Sequence, residues 1–319
     1  MNPKSHLRLA LATAGVALAT LGQPSQALAA KFDPLNSPPS TEHHQGKLVW
    51  ADLFTSDPEG ATKFYCDLLG WTSVTLDQKG KPYTVFSNDG KPVAGLAPHS
   101  SAAAKHLSKW IGYISVNDIN QAVAAAQKDG AVLHAPVRNF PERGKQAIIG
   151  DIEGVPLGLL QSSSGDSADV EPRTGDWNWF EIYVRNPKLV ANFYKNTINY
   201  DVTEDTRGET KNEYLLATDG ENRGGIAAVP NGDDVRPSWL GVIRVTDLDL
   251  VLHRVAGLGG TVLVQPRSVE FGSRFAIILD PTGGTVGLVQ YMDSANPANA
   301  TPAPAPANAM PAPANATTP

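Results

Sequence analysis

The stretch LVWADLFTSDPEGATKFYCDLLGW, residues 48–71, decides the fold. It opens with strand character, turns at Ser56-Asp57-Pro58, and continues with Ala61, Phe64, Tyr65, Leu68 and Leu69 at helical spacing. Asp57 is placed to accept backbone N–H bonds as an N-cap, Pro58 in the first turn gives up no needed donor, and Gly70 offers the stop. The same strand, turn and helix return at residues 177–200, WNWFEIYVRNPKLVANFYKNTINY, with Asn186-Pro187 for Asp57-Pro58 and Phe193-Tyr194 for Phe64-Tyr65.

Working outward, the repeat extends to whole halves, residues 47–161 and 176–291, joined by a Ser/Gly/Asp-rich linker at 162–175. Trp50 answers to Trp179, Asp52 to Glu181, Trp110 to Trp239, and IIGDIEGVPLGLLQ (148–161) to IILDPTGGTVGLVQ (277–290). Each half is of ordinary domain size, so this is a domain duplication and not a short-period solenoid. Within each half a strand, a helix and further short strand runs occur twice: the second helix opens at Asp118 or Asp247 and closes near Gly130 or Gly259-Gly260. The expected class is α+β, with two βαβββ modules per domain.

The ends read differently. Residues 1–29 have the form of a secretory signal peptide: Lys4, His6 and Arg8, an apolar run from Leu9 to Leu21, then Ala27-Leu28-Ala29. The run is too short to span a bilayer, so an exported mature chain, periplasmic or secreted and without membrane insertion after processing, is expected; a retained anchor is the competing reading. Residues 30–46, polar and rich in Pro and Ser, read as a flexible lead-in, and His43-His44 there make a weak metal signal. Residues 292–319 alternate Pro, Ala, Asn and Thr and read as a disordered tail, within which Asn299 and Asn315 match the glycosylation pattern. The single cysteine, Cys66, forbids an intramolecular disulfide and reads as a small apolar residue of the first helix. A formal net charge of −6 gives no electrostatic case for nucleic acid or an anionic membrane. No G-x-S-x-G, P-loop or dinucleotide fingerprint is present. Oligomeric state is not indicated.

The paired βαβββ units, the run Trp50, Leu53, Asp57, Phe64, Tyr65, and the D-x-x-G…Q endings (Asp151, Gly154, Gln161; Asp280, Gly283, Gln290) resemble the vicinal oxygen chelate superfamily, which includes glyoxalase I, extradiol dioxygenases, fosfomycin-resistance enzymes and bleomycin-binding proteins. The resemblance implies tandem glyoxalase-like domains, each a cupped mixed sheet. It also implies, for metal-dependent members, His, Gln or Glu ligands at the start of a module's first strand and on its last strand. Those positions here hold Trp50, Trp179, Ile111, Leu240, Gly158 and Gly287. None can ligate a metal through its side chain, and a catalytic site needs about three protein ligands, so no metal and no cofactor are expected.

Strand alternation then predicts what lines the cups. Trp50, Asp52 and Phe54 fall on one face of the first strand, with Tyr113 and Ser115 from its neighbour and the bare Gly158 making room for the Trp50 indole. Trp177, Trp179, Glu181, Tyr183, Arg244 and Gly287 take the corresponding places in the second cup. An aromatic cavity with a few polar groups suits a small organic molecule, and Asp52 or Glu181 could orient or deprotonate it. The bland alternative is a filled cup, with Glu181 neutralised by Arg244. Asp52 has no evident basic partner, which favours the first cup as the site. Trp110 and Trp239 fall on the opposite parity and read as packing residues. His99, His106 and His134, occurring singly, read as surface residues. Arg138, Arg143, Arg267 and Arg274 flank hairpins and read as solvated turns that can border a pocket mouth. Three functions stay open: a metal-free small-molecule binder with or without an activity, a metal-dependent dioxygenase or lyase with displaced ligands, and an interaction module with filled cups.

Overall fold

The structure, a computed structural model, describes residues 32–78, 80–99, 108–205, 213–229, 236–269 and 273–291. The proposed signal peptide, the Pro/Ala tail with Asn299 and Asn315, and His106 lie outside the described residues. The first domain runs β1 (Leu48–Thr55), α1 (Pro58–Leu69), β2 (Thr72–Asp77), β3 (Pro82–Asn88), β4 (Lys91–Pro98), β5 (Lys109–Ser115), α2 (Ile119–Lys128), β6 (Val132–Phe140), β7 (Gly144–Gly150) and β8 (Pro156–Ser162). The second repeats it as β9 (Trp177–Val184), α3 (Pro187–Ile198), β10 (Asp201–Asp205), β11 (Glu213–Thr218), β12 (Glu221–Ala228), β13 (Ser238–Arg244), α4 (Leu248–Gly257), β14 (Thr261–Val269), β15 (Ser273–Leu279) and β16 (Thr285–Tyr291).

The helix starts follow the cap chemistry. Asp57, Asp118, Asn186 and Asp247 each accept a backbone N–H in the first turn of their helix, and Gly70 and Asn199 close α1 and α3 in the left-handed conformation. Helix α1 buries Ala61, Phe64, Tyr65 and Leu68, each large apolar side chain contributing about 1.5–3 kcal/mol.

Each domain forms one eight-stranded mixed sheet, ordered β2-β3-β4-β1-β5-β8-β7-β6 in the first and β10-β11-β12-β9-β13-β16-β15-β14 in the second. The modules meet at an antiparallel pair, β1 with β5 and β9 with β13, and each of these strands pairs in parallel with the last strand of its own module. One core runs through both domains, taking in Ala51, Leu53, Phe64, Tyr65, Trp110, Phe180, Ile182, Phe193, Tyr194 and Trp239. Two hydrogen bonds related by the duplication cross it: Tyr65 Oη to Asp280 Oδ2 at 2.8 Å and Tyr194 Oη to Asp151 Oδ2 at 3.2 Å. The helices and the faces bearing Trp110 and Trp239 therefore lie between the sheets, and the cups open on the opposite faces.

One expectation is corrected by the contacts of the segment before β1. Residues 32–46 are not a free lead-in: the Asn36 and Ser40 backbones bond to Ser164, His44 N donates to Asp166 at 2.7 Å, and Tyr200 Oη reaches Gly46 O at 2.6 Å. Phe32 and Leu35 pack with the lining of the first cup. Likewise the linker is a clamp, in which Asp169 binds Arg223 through two bonds of 2.7 and 2.8 Å, with Lys47 Nζ at 2.8 Å and His44 Nδ1 at 3.1 Å. Among the described residues no helix is long and apolar enough to cross a membrane.

Candidate functional site: two cups with unlike linings

In the first cup, register sets Trp50 opposite Tyr113 and Asp52 between Gly95 and Ile111. Trp50 Nε1 donates to Asp52 Oδ1 at 2.8 Å, and Tyr83 Oη donates to the same oxygen at 2.7 Å. The Tyr113 phenol, across the β1–β5 pair, adds a weaker pull on the same carboxyl. Burial pushes the Asp52 carboxyl upward in pKa, against these donors and the Arg143 charge, and it holds the Tyr83 and Tyr113 phenols well above their ordinary value. The cup is full: Trp50, Tyr83, Val85, Ile111, Tyr113 and Leu160 form one cluster with Leu35, and Phe32 and Phe54 pack against it.

Several sequence-predicted residues take other roles. Gly158 makes room for Tyr113 and not for Trp50, since a Cβ there would lie 2.2 Å from Tyr113 Cδ1. Ser115 is fully buried and donates to Asp166 at 2.5 Å, so it belongs to the clamp. Arg143, expected in a solvated turn, is only 1% exposed, with its guanidinium carbon 4.0 Å from the Trp50 ring centroid. It supplies the basic neighbour that Asp52 was thought to lack, and the preference for the first cup as an open site is reversed.

The second cup keeps the plan and changes the filling. Trp179 Nε1 donates to Glu181 Oε2 at 3.0 Å, repeating the Trp50–Asp52 bond. Glu181 lies in register with Gly225, whose missing Cβ leaves room for the carboxyl. Trp179, Glu181 and Tyr183 are each only part-buried, whereas Trp50 and Asp52 are buried. Tyr83 is replaced by Glu213, in register with Asp205. Desolvation pushes the Glu181 carboxyl up to about 8, opposed by the Trp179 bond and reinforced by the charges of Glu213 and Asp205. Tyr183 is also pushed up, first by burial and then by Glu181, with Arg267 opposing.

Arg244 does not neutralise Glu181. Its guanidinium binds Glu171 and the Pro172 carbonyl and lies 5.1 Å from the Tyr291 ring centroid. Trp177 is not in the cup: the β9–β13 register shifts beside it, and its ring sits in the core 5.2 Å from Trp110 and 6.2 Å from Trp239, with Nε1 bonded to Val93 O. Gly287 lies beneath Phe275, whose Cε2 would be 2.9 Å from an added Cβ. Sequence reasoning missed Glu213 and Phe275, whose signal was strand parity on β11 and β15; it put Arg143 at the pocket mouth but missed its burial, for which apolar Phe32 and Leu35 upstream were the available hint. The other hairpin arginines stay at the edges: Arg138 is exposed, Arg267 lies 5.9 Å from the Phe275 ring, and Arg274 donates two hydrogen bonds to Asp249.

A divalent metal does not fit either cup. The positions expected to ligate hold indoles, buried aliphatics and two glycines covered by rings. Among the described residues no group of three or more His, Cys, Asp and Glu is arranged to hold an ion. His99 bonds through its backbone to Thr55, and His134 packs on Gly150. Burial raises the Cys66 thiol pKa, which argues against a reactive thiolate.

Comparison with known proteins follows this geometry. The model of the Glyoxalase/Bleomycin resistance protein/Dioxygenase superfamily matches residues 47–158 and again 177–288. The chain is similar to "Putative glyoxylase CFP32" of Mycobacterium tuberculosis (27% identity over 258 residues, 79% of this chain and 98% of that protein). It is also similar to the anthracycline biosynthesis protein DauV of Streptomyces sp. (26% over 273 residues, 82% and 98%). Among solved structures, the Mn(II)-bound glyoxalase from Novosphingobium aromaticivorans superposes with a TM-score of 0.57 at 14% identity, covering 78% of this chain and 83% of that one, a likeness of fold.

Proposed function

Because the chain belongs to the Glyoxalase/Bleomycin resistance protein/Dioxygenase superfamily, we propose that it is an exported, metal-free binder of a small aromatic cation, with the second cup as its site. The observation that carries this reading is the contrast between cups: Trp50 and Asp52 are sealed, while Trp179, Glu181 and Tyr183 reach solvent. Trp179 and Tyr183 offer ring faces, and a cation over such a face gains about 0.5–2 kcal/mol as it is desolvated. Glu181, Glu213 and Asp205 stand on one wing and favour positive charge there. Two relatives named for anthracycline biosynthesis are in keeping with a flat aromatic ligand. Export rests on the pattern of residues 1–29.

The chemistry available is binding and orientation, with Glu181, largely protonated at neutral pH, giving up its proton as a cation docks beside it. The test is a calorimetric screen of arylalkylamines, which are cations at neutral pH, against their N-acetylated counterparts, with an aminoglycosylated anthracycline in the set. The amines are expected to bind more tightly, and Glu181→Gln to abolish that preference while Asp52→Asn leaves it. Equal binding of amine and acetylated forms, or no binding at all, overturns the reading.

A further inference from the structure

Arg143 enters the first cup from the turn between β6 and β7 and is 1% exposed. Its guanidinium carbon stands 4.0 Å from the Trp50 ring centroid and 5.7 Å from that of Phe32. Nε donates to the Asp33 backbone oxygen at 2.8 Å, while the buried Nη2 meets no partner among the described residues. A guanidinium presents Nε–H and Nη2–H side by side, a fork spaced for the two oxygens of one carboxylate. A single backbone carbonyl fills half of it. Leaving the other half of a buried charged donor unpaired is costly.

The segment that supplies that carbonyl also supplies an aromatic ring. Phe32 packs edge-on against Tyr83 and Phe140, with centroids 4.7 and 4.9 Å apart, and Leu35 seals the cluster beside it. From Asn36 onward the chain is fastened independently, by Asn36 Nδ2 to Gly165 O at 2.9 Å and Ser40 N to Ser164 O at 2.9 Å. Residues 32–35 can therefore lift without disturbing the clamp. The donors on the floor of the cup are already engaged, because those of Trp50 and Tyr83 are directed at Asp52.

We propose that the first cup is a second binding site, specific for aryl carboxylates, and that Phe32–Leu35 is a displaceable strap that imitates such a ligand: the Phe32 ring stands for the aryl group and the Asp33 carbonyl for one carboxylate oxygen. A bound acid would take both arms of the Arg143 fork and put its ring where Phe32 sits. An ionised Asp52 would oppose a second negative charge nearby, and burial, which favours its neutral form, relaxes that opposition. The site is independent of the second cup and does not rest on it.

The test is calorimetric titration of the full protein with phenylacetate and, as a neutral isostere, phenylacetamide. Phe32→Ala removes the competitor and is expected to tighten phenylacetate about tenfold, the affinity penalty of a binding-competent state populated only in part, with phenylacetamide staying weak. Arg143→Lys in the same background keeps the cation but not the fork, and is expected to reverse the gain, while Glu181→Gln leaves it. In the unmodified protein, saturating phenylacetate is expected to speed hydrogen–deuterium exchange in residues 32–35 and not in 36–46. Unchanged exchange in the strap, acid and amide binding alike, or no gain from Phe32→Ala overturns the proposal.

Discussion

Replacing Glu181 by Gln should stabilise the protein, and by an amount that grows with pH. The carboxyl has an ordinary value of 4.5 and is pushed up to about 8 by burial in the second cup. A group that binds its proton more tightly when folded supports folding fully below its unfolded pKa, and that support is lost as pH rises through the folded pKa. At about 1.4 kcal/mol per pH unit, ionised Glu181 costs at most about 5 kcal/mol above pH 8 and about 3 kcal/mol at pH 7. Solvent reaches this half-buried side chain, so about 2 kcal/mol at pH 8 is the realistic figure. Gln keeps the shape and still accepts from Trp179 Nε1, so little is lost in exchange. Thermal unfolding at several pH values reads the effect: a rise in Tm of about 4–8 °C at pH 8, fading below pH 5. An equal Tm at both ends of the range, or a lower Tm for Glu181→Gln at pH 8, would refute the reasoning. A residue that costs stability and persists in an accessible cup is what a binding role explains.

Other expectations follow from the same structure. Arylalkylammonium ligands binding at pH 7 should release protons from Glu181, seen as a dependence of the calorimetric enthalpy on buffer ionisation heat; no such dependence counts against contact with that carboxyl. Gly158→Ala should cost about 1–3 kcal/mol in urea unfolding, because the new Cβ meets the Tyr113 ring at 2.2 Å. Tyr194→Phe should cost about 1–2 kcal/mol by leaving Asp151 Oδ2 without its donor, while Oδ1 keeps the Glu153 and Val155 backbone N–H groups. Asp151 already titrates at about 6 through burial, so that loss should widen as pH rises above 6.

The architecture was legible because caps and apolar spacing act locally. Asp57-Pro58 and Asn186-Pro187 open helices where the spacing placed them, and the offset between halves related the first strand and both helices of one domain to those of the other. The edge strands β2, β6 and β10 declared themselves poorly, since both of their faces are largely wet and alternation has nothing to report. The cups were half legible. Parity located Trp50, Asp52, Trp179 and Glu181 on β1 and β9, but it fails across an irregularity, and the register shift at Trp177 turned that ring into the core. Arg143 sits between turn residues and looks solvated in sequence, and its burial is created by Trp50 and Phe32, both far away along the chain. A Pro/Ser-rich composition likewise hid the two apolar anchors, Phe32 and Leu35, that hold the strap in place.

Whether the family's metal centre has been replaced in this chain is read most directly by counting metal. Protein equilibrated with Zn²⁺, Ni²⁺, Mn²⁺ and Fe²⁺ and freed of excess should hold far less than one equivalent of any of them per domain by plasma mass spectrometry, since indoles and ring-covered glycines occupy the ligand positions. Its preference for arylalkylamines should survive chelator. One tightly held ion per domain, with amine binding lost in chelator, would contradict a metal-free cup.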